Sequence, residues 1–120
     1  MSGTSVDGVD CALVQFNGDQ PELIATHSEP IESALREDIL QLCSGKNIDL
    51  ELYGNTDVAI GQLFARAVLT LLANEDLEKT AIRAIGSHGQ TVFHHPQGTT
   101  RFTLQIGDPN SIAHLTGITT

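Results

Sequence analysis

Hydrophobic and polar positions along this 120-residue chain change period several times, and each change marks an expected element. Val9 to Phe16 puts Val9, Leu13, Val14 and Phe16 on both faces of an extended stretch, which predicts a strand interior to a sheet. Asn17-Gly18-Asp19 is a hairpin signal, so Leu23 to Glu29 predicts an antiparallel second strand, closed by Pro30. From Ser33 the spacing lengthens: Leu35, Ile39 and Leu42 recur on one helical face, and Gly45 supplies a stop. Asp49 is placed to cap a second, longer helix. Its later part carries Ile60, Leu63, Phe64, Ala67, Val68, Leu71 and Leu72, a two-sided apolar stripe that must be buried. Gly54 and Gly61 argue against one straight helix there.

After the polar stretch Asn74–Thr80, Ala81 to Ile85 predicts a short buried strand leading into Gly86-Ser87-His88-Gly89-Gln90. Thr91–His94 and Phe102–Ile106 predict two further strands around a turn at His95-Pro96-Gln97-Gly98. Asp108-Pro109 opens a helix, with Asp as N-cap and Pro at its first position, and Gly117 ends it. Ile118-Thr119-Thr120 then reads as the start of another strand. The order β-β-α-α-β-β-β-α-(β) predicts an α/β fold: a mixed sheet with flanking helices. There is no internal repeat or low-complexity segment. The first turn has no strand leading into it and the last strand has barely begun. The chain is therefore expected to be part of a longer one.

Composition narrows the function classes. A hydrophobic fraction of 40% and a mean hydropathy of −0.02 are those of an ordinary globular domain. A net charge of −9 argues against nucleic acid or an anionic membrane as partner, since both require a basic face. No uninterrupted apolar run reaches the ~18 residues of a membrane span, and the N-terminus has no secretory-signal pattern. Cys11 and Cys43 are expected to be buried free thiols, and with no C-x-x-C a thiolate zinc site has no support.

The densest chemistry lies in Met1-Ser2-Gly3-Thr4-Ser5-Val6-Asp7-Gly8-Val9-Asp10. Glycines allow a ligand to approach the main chain, and successive backbone N–H groups with Ser2, Thr4 and Ser5 hydroxyls suit phosphate oxygens. Asp7 and Asp10 would repel bare phosphate, so they belong beside Mg²⁺ or a substrate hydroxyl. The loop has no Lys or Arg, unlike a Walker A motif, so charge neutralisation must come from Mg²⁺ or from downstream residues. A plain Gly/Ser/Asp surface turn is the competing reading, and for Asp7 a capping role competes with Mg²⁺. His88, directly after an expected strand and between two glycines, sits where α/β sheets bind ligands, and Gln90 offers both donor and acceptor. His94 and His95 are adjacent in a strand and face opposite ways, which argues against a shared zinc with His88.

Three motifs stand in one order and spacing: Gly3–Asp10; Gly86-Ser87-His88-Gly89-Gln90-Thr91-Val92 with His94; and Leu104-Gln105-Ile106-Gly107-Asp108 through Gly117-Ile118-Thr119. Together with Gly61-Gln62-Leu63-Phe64-Ala65 they closely resemble the anhydro-N-acetylmuramic acid kinase family, over nearly the whole chain. The resemblance implies the two-lobed sugar-kinase/Hsp70/actin (ribonuclease H-like) fold, with ATP and sugar in the cleft between lobes. It also implies the reaction, in bacterial peptidoglycan recycling. Water opens the 1,6-anhydro ring, and ATP with Mg²⁺ phosphorylates the freed O6 to give N-acetylmuramic acid 6-phosphate.

Carried over by residue, Gly3, Thr4, Ser5, Val6, Asp7, Gly8, Val9 and Asp10 match the ATP-phosphate loop, with Asp7 the candidate for Mg²⁺. His88 and Gln90 match the sugar side, and Asp108 and Asn110 match a segment of less defined role. The resemblance further implies a cytoplasmic enzyme, commonly a homodimer. It places the family's first strand before Met1, and its general base and adenine-binding lobe beyond Thr120. Residues 1–120 are thus expected to form an incomplete N-terminal lobe, inactive alone and lacking a catalytic residue. Two other classes stay open: a non-catalytic nucleotide-binding module of the actin-like fold, and an acidic protein-interaction domain.

Overall fold

A computed structural model describes residues 6–120. The first apolar run extends as its composition dictates. β1 (Gly8–Asn17) turns through Gly18-Asp19 into β2 (Gln20–Pro30), pairing antiparallel from Gly8 opposite Pro30 to Asn17 opposite Gln20. Leu13 faces Ala25 but Val14 faces Leu23, so Ile24 is the extra residue of a bulge. Val9 is buried and Cys11 and Leu13 half-buried, whereas Asp10, Ala12 and Val14 are exposed. Burial therefore alternates, and Phe16, 67% exposed, lies outside the core. The expected two-sided burial of this strand gives way to one buried face. Among the described residues β1 is hydrogen-bonded only to β2, and its other edge lines a groove.

α1 (Ser33–Ser44) buries Ile39 and Leu42 and ends at Gly45, as the sequence predicts. α2 (Leu50–Asn74) begins where Asp49 accepts the Leu52 N–H at 2.7 Å. It then runs unbroken for 25 residues through Gly54 and Gly61, against expectation. Each glycine costs about 1 kcal/mol in a helix, whereas each buried Ile, Leu or Phe returns about 1.5–3 kcal/mol. Ile60, Leu63, Phe64, Leu71 and Leu72 are all buried, so packing wins. By length and composition this helix could also cross a membrane, which a count of uninterrupted apolar residues misses. It packs instead on β1, β2, β4, α1 and α3 as the central helix of the core.

A short 3₁₀ turn at Lys79–Ala81 follows, and residues 82–89 continue without regular hydrogen bonding. The strand expected at Ala81–Ile85 is therefore absent among the described residues. So is the one expected to begin at Ile118. One backbone hydrogen bond links the two segments, Ile85 N–H donating to the Thr119 carbonyl at 2.7 Å. Apolar residues favour extension, but a strand requires a ladder, and one bond does not make one.

β3 (Gln90–His95) and β4 (Phe102–Ile106) form a second antiparallel hairpin, with Gln90 opposite Ile106 and His95 opposite Phe102. α3 (Pro109–Thr116) starts on the Asp108 cap and stops at Gly117. Its buried Thr116 hydroxyl is satisfied by the Ile112 carbonyl at 2.7 Å. Val9, Ile39, Ile60, Phe64, Val92, Ile106 and Ile112 meet in one core drawn from both hairpins and all three helices. The α/β class stands, but among the described residues the strands form two two-stranded antiparallel sheets in place of the expected mixed sheet.

Candidate functional site

Gly3, Thr4 and Ser5 of the expected phosphate loop lie outside the described residues. Its second half is well anchored. Val6 is buried at 3% exposure and adopts φ 51, a left-handed conformation that costs a β-branched residue energy and must be imposed by its surroundings. Two bonds impose it: Arg36 of α1 donates from Nε to the Val6 carbonyl at 3.1 Å, and the Asp7 carbonyl accepts the Ile31 N–H at 3.1 Å. At Gly8 a Cβ would stand 3.2 Å from the Glu29 carbonyl, so the loop enters β1 tight against β2. Val9 points into the core, while Asp7 and Asp10 are exposed.

The groove beside β1 has a volume of about 1530 Å³. Its walls are β1 from Val9 to Phe16, residues 81–89, and α2 side chains including Phe64, Ala67 and Leu71. Asp10 and His88, far apart in sequence, both line it. His88 is exposed, held between exposed Ser87 and buried Gly89, whose N–H donates to the Ser87 hydroxyl at 3.3 Å.

Gln90 behaves differently. It is 4% exposed, its amide nitrogen donates to the Thr91 carbonyl at 3.0 Å, and its Oε1 has no partner among the described residues. His94 pairs with the Thr103 hydroxyl at 2.9 Å, while His95 stacks with Phe93 and Phe102 on the other face of the hairpin. Among the described residues no three His, Cys, Asp or Glu side chains converge as metal ligands. Cys11 and Cys43 are free thiols, Cys43 exposed rather than buried, and partial burial raises the pKa of both.

Asp108 is spent on structure. Its carboxylate accepts the N–H groups of Asn110 (3.1 Å) and Ser111 (2.9 Å), the Asn110 amide (2.9 Å) and the Ser111 hydroxyl (2.6 Å). The Ser111 hydroxyl is the largest cause that lowers its pKa; desolvation opposes it, and the Asn110 and Ser111 N–H bonds with the Asn110 amide add to the lowering. Asn110 is thereby one arm of the helix cap. Sequence reasoning missed Arg36 and Asp57, because neither lies in a motif and each acts on a segment 30 or 50 residues away.

A family model described as anhydro-N-acetylmuramic acid kinase matches residues 1–120. An anhydro-N-acetylmuramic acid kinase of Coxiella burnetii (strain Dugway 5J108-111) is 54% identical over 120 residues, all of this chain and 32% of the relative. Those of Shewanella pealeana and Shewanella sp. (strain ANA-3) are 52% and 55% identical over 118 residues, 98% of this chain and 32% of each relative. The chain thus spans about a third of the length of these curated relatives. With a model matched from end to end and identities above half, the chain belongs to the anhydro-N-acetylmuramic acid kinase family.

Proposed function

We propose that this chain supplies the phosphate loop and part of the sugar pocket of a cytoplasmic kinase acting in peptidoglycan recycling. The substrate is 1,6-anhydro-N-acetylmuramic acid. Water's oxygen ends on the anomeric carbon as the anhydro bridge breaks, and the γ-phosphoryl group of ATP ends on the freed O6. The observation that carries this reading, beside family membership, is the single groove lined by both Asp10 and His88. Residues 1–120 form an incomplete N-terminal lobe in this proposal, inactive by themselves, and the working enzyme is a homodimer.

The roles follow from chemistry. In this role Gly3 to Asp10 bind the triphosphate through backbone N–H groups and hydroxyls, and Arg36 holds the Val6 carbonyl where that segment enters β1. Asp7 is exposed at the bend and fits Mg²⁺, which takes one or two carboxylates and otherwise phosphate oxygens and water. When bound, Mg²⁺ neutralises charge on the transferring phosphates. His88 hydrogen-bonds the sugar from the groove wall. Gln90 is buried behind His88 and does not line the groove, so its sugar role rests on its unused acceptor Oε1, which a substrate hydroxyl could satisfy only if the sugar reaches past His88.

The test is phosphorylation of the anhydro sugar by the full-length kinase, with the product's phosphate located by ³¹P NMR. Asp7→Ala should lower turnover at least ~10²-fold if Asp7 holds Mg²⁺ against the phosphates. An unchanged rate would make Asp7 a turn residue. A nucleotide-binding module without catalysis would bind Mg·ATP and leave the sugar intact.

A further inference from the structure

Asp57 lies on the second turn of α2, outside every motif given a role above. Its carboxylate Oδ1 accepts the Gly107 N–H at 2.6 Å, and its backbone carbonyl accepts the Asp108 N–H at 3.1 Å. One residue thus takes both donors of the junction between β4 and α3. One helical turn further on, Gly61 lets that junction settle: a Cβ there would stand 2.6 Å from the Asp108 carbonyl oxygen.

The junction in turn borders the His88 segment. Gly107, at φ 122, lies beside that segment: a Cβ there would stand a tight 3.0 Å from Ile60 and in ordinary van der Waals contact, 3.6 Å, with the Gly89 Cα. Gly89, at φ 71, packs its own backbone on β4, where a Cβ would collide with the Ile106 carbonyl. Gly89 is buried and its neighbour His88 is exposed. An exposed imidazole has no packing of its own to hold it, so its place is set by the backbone that follows. That backbone packs on the end of β4 at Ile106 and borders Gly107, the next residue, whose N–H is held by Asp57.

We infer that Asp57 is a positioning residue: through Gly107 and Gly89 it fixes where His88 meets the sugar. The catalytic consequence rests on the proposed role of His88, and the positioning itself does not. Both are read in the full-length kinase labelled with ¹⁵N-histidine, the His88 signal being assigned with His88→Gln. Asp57→Ala should shift the His88 ring resonance and raise KM for the sugar about tenfold or more, with KM for ATP changed less than about twofold. Asp57→Asn, whose side-chain carbonyl still accepts the Gly107 N–H, should keep both the His88 signal and the sugar KM close to those of the parent. If Asp57→Ala moves neither readout, or Asp57→Asn moves both as far as Asp57→Ala does, the inference is overturned. Should Asp57→Ala not fold, Asp57→Ser takes its place: it must move the His88 signal while Asp57→Asn does not, and the opposite pattern sinks the idea. If His88→Gln leaves the sugar KM unchanged while Asp57→Ala still shifts the His88 signal, the sugar role of His88 fails and the positioning role stands.

Discussion

Glu29 on β2 joins two elements through one carboxylate. His27, two residues back on the same strand face, meets Oε2 at 2.8 Å, and Arg66 of α2 donates to Oε1 at 3.0 Å. The His27 hydrogen bond is the largest cause lowering the Glu29 pKa; partial burial opposes it, and Arg66 adds to the lowering. A carboxyl whose folded pKa lies below its unfolded value stabilises the fold above the ordinary glutamate range and loses that contribution as pH falls. Glu29→Gln should therefore melt lower than the parent at pH 7, and the two melting curves should converge below about pH 4. With Arg66 half exposed, the gap at pH 7 should be about 1 kcal/mol or less. A gap that widens in acid would remove Glu29 from this role. Arg36 makes a second prediction at this scale. Without its bond to Val6 the left-handed turn loses a support, so Arg36→Ala in the full-length kinase should raise KM for ATP about tenfold and leave the sugar KM alone. Of the proposed site, the string around His88 and the loop from Gly3 could be proposed from sequence because their chemistry is local. Arg36 and Asp57 were not, since a hydrogen bond across 30 or 50 residues leaves no mark on spacing.

Among the elements, helices proved more readable than strands, for a physical reason. A helix closes its hydrogen bonds within itself, and its ends are signalled by nearby side chains. Asp49, Gly45, Asp108 and Gly117 each act within a few residues of where they stand. Hairpins are nearly as local, and both turns fall where glycine and proline announce them. The stretch Ala81–Ile85 has strand composition too, but its fate depends on a partner, and among the described residues it forms no ladder, Ile85 bonding to Thr119. Gly61 shows the limit from the other side. Within α2 it reads as a weak point, yet the approach of α3 requires it. Gly61→Ala should gain helix propensity worth about 1 kcal/mol and lose more to the Asp108 carbonyl, since overpacking costs about 1–3 kcal/mol. Chemical denaturation should show net destabilisation, and Gly54→Ala, where a Cβ meets nothing within 4 Å, should show the opposite sign. If both glycines respond alike, the close packing of α3 on α2 is not what keeps Gly61.

For the molecule as a whole, neither hairpin can stand alone, because a two-stranded sheet is marginal in water. What joins them is α2. It contacts β1 and β2 as well as β4 and α3, and Ile60, fully buried, sits at the point where Gly107 comes within contact distance. Removing that side chain should cost about 2–5 kcal/mol, a large share of the ~6–18 kcal/mol available to a domain of this size. If α2 is the common support, Ile60→Ala should speed amide exchange in β1–β2 and β3–β4 by similar factors, since both would open by the same unfolding event. A loss of protection confined to β3–β4 would mean that the β1–β2 hairpin holds without the helix. The bearing on function is direct: β1 carries Asp10 and the segment entering β3 carries His88, so the groove keeps its shape only while both hairpins stay docked on α2. Ile60→Ala should then weaken ATP and sugar binding together in the full-length kinase, unlike Asp57→Ala, which is expected to act on the sugar alone.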